Sequence, residues 1–493
     1  MTEPTSAGPT TPPPHRWAIL GIIGVAQLMV VLDTTIVNIA LPSAQADLGF
    51  STDNRQWVVT AYALAFGSLL LLGGRLSDLF GRRPTLVVGL LGFAIVSAIG
   101  GAAGNVEMLL AARALQGVFA ALLAPAALST LNLTFTDPKE RARAFGVYAG
   151  IAGGGGVIGL VVGGALTEWL SWRWCFYVNL LFAVPAAIGV LTWIRGGRAD
   201  GHTRIDVPGV LTSAGGLFCL VYGLSNAEQN GWGDSLTISM LVAAAVLLGA
   251  FGVIESRVAR PLLPLRIVAD RNRGGSLLTI LIGGCALFAA FLFLTYFMQV
   301  NLGYSPIVTG VAFLPLTAGL MVGVGVTNLR LVPRFGARPL VPAGLLIAAG
   351  AMAWLAQLDV DSTYASGVLG PIILLGAGLG TAIAPSINAA TAGVDPADAG
   401  AGSAMVNTCQ QIGGAIGAAA LSAVFANAVT GYLSDHAPAS SQAAAATQAA
   451  AAVHGYATAF TVAACIFLAG AVLTPLLLRS GQIAPTEGVP AAV

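Results

Sequence analysis

One carboxylate and one guanidinium stand within long apolar stretches of this chain, and together they could bind and release a proton. Asp33 lies nine residues before Pro42, and Arg113 lies six residues after Glu107. If both stretches are helical, a rise of 1.5 Å per residue sets the two charges roughly 13 and 9 Å below their helix ends, at similar depths. A carboxylate removed from water is driven toward its neutral form, and a nearby arginine draws it back toward the charged form. Such a pair, direct or bridged by water, could exchange a proton. The plainer alternatives are a carboxylate that only ties helices together and an arginine that clamps them. Ionisable groups inside a membrane are costly and rare without a role, so a proton pathway is the expectation.

Composition says what surrounds the helices that must position this pair. Of 493 residues, 56% are hydrophobic and 9% charged, with a mean hydropathy of +0.83; soluble domains carry about 25% charged residues. A chain so short of charge cannot cover a globule with polar surface, so its solvent is lipid. The net charge of +1 gives no basic field for nucleic acid. Cys175, Cys219, Cys285, Cys409 and Cys465 stand singly, without the spacing of a disulfide framework or zinc site. His15, His202, His436 and His454 are equally isolated, so neither metal nor cofactor is expected. A single lysine, Lys139, on an arginine-, alanine- and glycine-rich background points to a GC-rich genome of the actinobacterial kind.

A membrane-spanning helix needs about 20 mostly apolar residues. Fourteen runs qualify, near 17–41, 57–77, 84–104, 107–131, 143–169, 176–194, 207–225, 236–255, 275–299, 307–328, 339–358, 368–388, 403–428 and 457–478. An even number puts both ends of the chain on one side. With that side cytoplasmic, 19 of the 22 basic residues fall inside, Arg113 falls within a span, and Arg55 and Arg173 fall outside. This is the bias of the positive-inside rule. The Pro/Thr-rich start, residues 1–16, is expected to be a disordered cytoplasmic tail. The run after Arg16 is too long for a signal h-region and is expected to be the first span.

An internal repeat divides the chain. Phe80-Gly81-Arg82-Arg83-Pro84 recurs as Phe335-Gly336-Ala337-Arg338-Pro339, and Gly89-Leu90-Leu91 recurs as Gly344-Leu345-Leu346, at the same offset. Two six-helix bundles, 17–198 and 273–479, with two extra helices and linkers at 199–272 and a cytoplasmic tail at 480–493, would place the copies alike.

The segment Gly74-Arg75-Leu76-Ser77-Asp78-Leu79-Phe80-Gly81-Arg82-Arg83-Pro84 resembles the loop signature of the major facilitator superfamily. The segment from Leu32 to Pro42 (LDTTIVNIALP) resembles the first-helix signature of its fourteen-helix drug:proton antiporters, and Arg113-Ala114-Leu115-Gln116-Gly117 resembles a fourth-helix motif. Trp172-Arg173-Trp174 with Asn179, Asp206 with Gly209, Gly303-Tyr304-Ser305-Pro306, and Asn407-Thr408 with Gln411-Ile412-Gly413-Gly414 are also similar to that family. One departure stands out: Leu160 occupies the place of a proline in the fifth-helix signature, where proline would kink the helix.

The resemblance implies an all-α, polytopic membrane protein of the major facilitator fold, fourteen helices with both termini cytoplasmic. It also implies a functional monomer in the cell membrane, working by alternating access. The implied activity is export of a lipophilic drug or antibiotic in exchange for protons, with the proton gradient as the energy source and Asp33 and Arg113 as the coupling pair. Gly74, Asp78, Gly81, Arg82 and Arg83 would form a gating loop, Asp78 docking on the positive N-terminus of the helix beginning near Ser403. A topogenic charged turn is the plainer reading. Gly155, Gly159 and Gly163 recur every four residues on the fifth helix, beside Gly164, as Gly319 and Gly323 do on the tenth; such faces pack closely and could slide across the interface between halves. Asn38, Gln116, Tyr296, Gln299, Asn388, Asn407 and Gln411 could line a substrate path, although such groups more often bond helix to helix. A single deep acid suits neutral or singly charged cargo. The alternatives are a facilitator fold carrying a metabolite by uniport or symport, and a non-transporting sensor. An enzyme would need a cluster of nucleophile, base or metal ligands, which the sequence does not offer.

Overall fold

The computed structural model describes residues 15–135, 137–194, 206–258, 261–263, 265–391, 399–436 and 441–478. Residues 1–14 of the expected first tail, the expected last tail and most of the linker between the sixth and seventh runs lie outside these; Arg16, expected in the tail, begins the first helix. Fourteen long helices follow in order: α1 Arg16–Leu48, α2 Thr52–Phe80, α3 Arg82–Gly101, α4 Val106–Thr134, α5 Pro138–Trp169, α6 Trp174–Trp193, α7 Val207–Asn230, α8 Ser235–Arg257, α9 Arg271–Asn301, α10 Pro306–Phe335, α11 Ala337–Leu355, α12 Tyr364–Thr391, α13 Ala399–Asp435 and α14 Ser441–Leu477. Among the described residues thirteen are long and apolar enough to span a membrane; α5, 32 residues long and rich in glycine, is the fourteenth. Helices are what lipid demands, because each backbone N–H and C=O must be satisfied within its own segment. Side chains close the ends: Asn105 caps α4, Asp206 caps α7, and Asp234 caps α8, each accepting from first-turn amides left free by the helix.

Every predicted run is a helix, and one begins far from its expected start. The last span, expected from 457, begins at Ser441, because the Ala-rich stretch before it is the best helix-forming composition although only mildly apolar.

The repeat is visible in the packing. In the first half α2 pairs with α4, α1 with α5, and α3 with both α4 and α6; in the second, α10 pairs with α12, α9 with α13, and α11 with both α12 and α14. The repeated loops turn alike: Gly81 has φ 90° and Gly336 has φ 73°, a region that glycine enters without strain. Between the halves, among the described residues, α2 packs along α13, while α5 packs on the first segment of α10, Pro306–Ala312. Farther along, Leu314–Val326 of α10 packs on α12, and a Cβ on Gly150 or Gly154 of α5 would meet nothing within 4 Å. The halves thus close at the end away from Arg16 and Leu477, here called the distal end, and splay along α5 and α10 toward the other, the terminal end. The extra pair α7–α8 pack chiefly on each other, α7 also touching α2 and α13. Only 11% of the apolar window of α8 is buried, so this helix faces lipid.

Candidate functional site

Asp33 and Arg113 meet inside the first half. Arg113 Nη1 donates to Asp33 Oδ2 at 2.6 Å, with side chains 1% and 0% exposed. Two amides complete the shell: Gln116 Nε2 donates to Asp33 Oδ1 at 2.9 Å, and Asn179 Nδ2 donates to the same oxygen at 2.8 Å. The guanidinium is held from three further directions, donating to Val58 O at 2.9 Å and Gln116 Oε1 at 2.9 Å and lying 4.4 Å from the centre of the Tyr62 ring. Ser97 Oγ accepts from Gln116 at 2.7 Å. Five helices, α1, α2, α3, α4 and α6, therefore supply one enclosed polar network. Taking two charges out of water is costly, and only such a complete set of partners offsets it. In this state the carboxylate is shielded from solvent, and its oxygens are met by a cation and two amides.

Gln116, expected beside a substrate path, belongs to this network instead. Other expected lining residues fasten the halves together distally. Tyr296 Oη donates to Gln45 Oε1 at 2.5 Å, and Gln299 Nε2 donates to Ile39 O at 3.0 Å. Asn38 and Gln411 are buried, each with one amide atom, Oδ1 and Nε2, lacking a hydrogen-bond partner among the described residues; Asn407 is half-buried on α13, and Asn388 is exposed on α12.

Arg55, expected in a segment on the non-cytoplasmic side of the membrane, is buried at 4% exposed. Its guanidinium lies 4.3 Å from the ring centre of Tyr296 and 4.8 Å from that of Phe425, so a cation of the first half sits between rings of the second. Sequence alone placed it near a helix end; the opposite half encloses it. Ile307 N donates to Glu168 Oε2 at 3.1 Å across the same seam. A Cβ on Gly164 would lie 2.5 Å from Ile307 Cα, and one on Gly310 would lie 2.3 Å from Leu160 O, so only glycine admits this approach.

The glycine stripes pack elsewhere than expected. Gly155, Gly159 and Gly163 lie against Leu28, Thr35 and Ile36 of α1, and Gly319 and Gly323 against Ile373 and Ala377 of α12. These contacts lie within a half; of the α5 glycines singled out, Gly164 meets the other half. In the signature loop, Gly74 lies against Pro125, Gly81 turns the chain, Arg82 Nε donates to Ser129 Oγ at 2.6 Å, and Arg83 Nη2 donates to Leu191 O at 2.7 Å. The side chains of Asp78 and Ser403, and so the expected docking, lie outside the described residues. Asp33 is also not the only buried acid in a span: Glu255, near the end of α8, is 3% exposed.

The family model of the Major Facilitator Superfamily matches residues 23–418. The chain belongs to that superfamily. Among curated relatives of this superfamily member, the puromycin resistance protein of Streptomyces alboniger is 49% identical, over 99% of this chain and 96% of its own. The cephamycin export protein of Amycolatopsis lactamdurans is 38% identical, over 93% and 92%. Among solved structures, a bacterial homologue of the lysosomal transporter Spinster aligns with TM-score 0.68 at 16% identity, covering 94% of this chain and 97% of that one. An auto-inhibited peptide transporter of the POT family aligns with TM-score 0.69 at 17% identity, covering 97% and 99%. The superfamily and the apolar helices together make this a multi-pass membrane transporter of the bacterial cell membrane.

Proposed function

We propose that the protein exports a lipophilic antibiotic or related compound from the cytoplasm in exchange for protons, with Asp33 as the proton carrier. The observation that carries this reading is the Asp33 network: an enclosed carboxylate with one cation and two amide donors. Its exposure can change only if helices move. The basic residues at the terminal end support a cytoplasmic location for that end.

Alternating access then follows from the seam. Gln299 is bonded to Ile39 O, and Ile39 lies six residues beyond Asp33 on α1, roughly 9 Å along the axis. Opening the distal seam would bring water close above Asp33. A proton arriving from outside neutralises the carboxylate, removes its attraction for Arg113, and weakens the tie between α1 and α4. Closing distally and opening toward the cytoplasm returns Asp33 to the ionised state, and the inward proton gradient drives export. The unpartnered amide atoms of Asn38 and Gln411 supply polar contacts for a cargo otherwise held by apolar walls. Similarity to puromycin and cephamycin proteins makes puromycin the first candidate cargo.

The test is puromycin-driven proton movement in proteoliposomes, native against Asp33→Asn. Flux in the native protein that the substitution abolishes supports antiport. Equal transport by both, with or without a pH gradient, overturns it.

A further inference from the structure

Asp206 and Glu255 are buried acids that the transport cycle above does not use. Asp206 is 8% exposed at the start of α7, and Glu255 is 3% exposed near the end of α8. Each carboxylate has one satisfied oxygen: Asp206 Oδ1 accepts from Gly209 N at 2.9 Å, and Glu255 Oε2 accepts from Leu263 N at 3.0 Å. The other two oxygens, Asp206 Oδ2 and Glu255 Oε1, are buried with no hydrogen-bond partner among the described residues. Both point at one spot. A Cβ on Gly209 would lie 2.6 Å from the first and 2.9 Å from the second, so the two oxygens are at most 5.5 Å apart.

Two unpartnered carboxylate oxygens this close in a buried site repel each other when both are charged, a repulsion that Arg75 opposes, and one proton held between them relieves it. We propose that Asp206 and Glu255 form a proton-binding pair, separate from the Asp33 network, that fastens the extra helix pair to the signature loop. One acid is protonated, and its O–H donates to the free oxygen of the other. When the proton leaves to water at the terminal end, two negative charges face each other. The weak point is the segment after α8, where Leu262 and Leu263 are buried and Pro261 O accepts from Arg75 Nη2 of α2. Arg75 is the charged group facing the pair from α2; Arg257, two residues beyond Glu255, is exposed. Repulsion between the acids displaces this segment from Glu255 and strains its tie to Arg75, so proton occupancy controls whether α7–α8 stay pinned to α2. This holds whether or not Asp33 carries the transported proton.

Infrared difference spectroscopy of the purified full chain in nanodiscs tests it, through the carbonyl stretch of protonated carboxylic acids. Native protein and Asp33→Asn are both expected to show such a band at neutral pH that disappears on alkalinisation. Asp206→Asn and Glu255→Gln are each expected to lose it. In Glu255→Gln the new amide donates to Asp206 Oδ2 and keeps the pair closed. Amide exchange at Leu262 and Leu263 should therefore rise at least tenfold above the native midpoint, after correction for intrinsic pH dependence, and stay flat in Glu255→Gln. If either variant does not fold, Glu255→Asp serves instead and should move the midpoint by at least one pH unit. A titrating band absent from Asp33→Asn, a band unchanged by substitution at both acids, or sodium-dependent protection of the Leu262 and Leu263 amides without a band would each overturn the proposal, the last assigning the site to a metal cation.

Discussion

Asp33 and Arg113 are 80 residues apart in the chain and 2.6 Å apart in space, with neither side chain reaching solvent. The contact ties α1 to α4, and each charge is the main compensation for burying the other. Removing one partner of such a pair costs about 3–5 kcal/mol, mostly because the survivor is left uncompensated. Arg113→Ala should therefore lower thermal stability markedly in detergent. The double variant Asp33→Asn/Arg113→Gln should be more stable than Arg113→Ala while remaining uncoupled to protons. A double variant no more stable than the single would show that the loss comes from contacts other than this pair.

Asn179 is expected to act through Asp33. Asn179→Ala removes one of the two amides on Oδ1 and leaves the ion pair intact. A hydrogen bond to a charged group contributes about 1.5–3 kcal/mol. The loss should favour the protonated acid and displace the pH profile of transport to higher pH by at least one unit. An unchanged profile with lowered stability would reduce Asn179 to a structural role.

Arg55 clasps the distal seam through the rings of Tyr296 and Phe425. A desolvated cation–π contact contributes about 2 kcal/mol, so Arg55→Ala should shift the balance toward distal opening by at least tenfold. Spin labels at the exposed Leu170 and Val308, one on each half, report it as a second, longer distance. An identical distance distribution in Arg55→Ala would mean the other seam contacts suffice.

Gly310→Ala should block closure, because the new methyl would lie 2.3 Å from Leu160 O, a backbone atom that cannot step aside. Gly155→Ala serves as the contrast: its Cβ would meet only side chains, the tip of Leu28 at 3.1 Å and Val31 Cγ1 and Cβ at 3.3 and 3.4 Å. Transport should fall at least tenfold in the first and stay within about twofold in the second, with helix content unchanged in both. Equal transport in the two variants would mean that the Leu160–Gly310 approach is not needed.

The order of residues alone dictates the helices, because lipid permits only long apolar helical segments here and each needs its run of about 20 residues. It also carries the repeated loop motif and sets how far along their helices Asp33 and Arg113 stand, since position along a helix is linear in residue number. Rotation about the helix axis, and the identity of the neighbour met there, are set by packing between segments far apart in the chain. Spacing shows that Gly155, Gly159 and Gly163 share a face; only packing shows that the face meets α1. Nothing local distinguishes Arg55 in a loop-proximal turn from Arg55 enclosed by rings 241 and 370 residues farther on. Glu255 sits at the end of an apolar run, where water is the default expectation, and it is buried because the segment at 261–263 folds back over it. Charge placement along a helix is written in the sequence; whether a charge at a helix end meets water or protein depends on contacts that close only when distant segments come together.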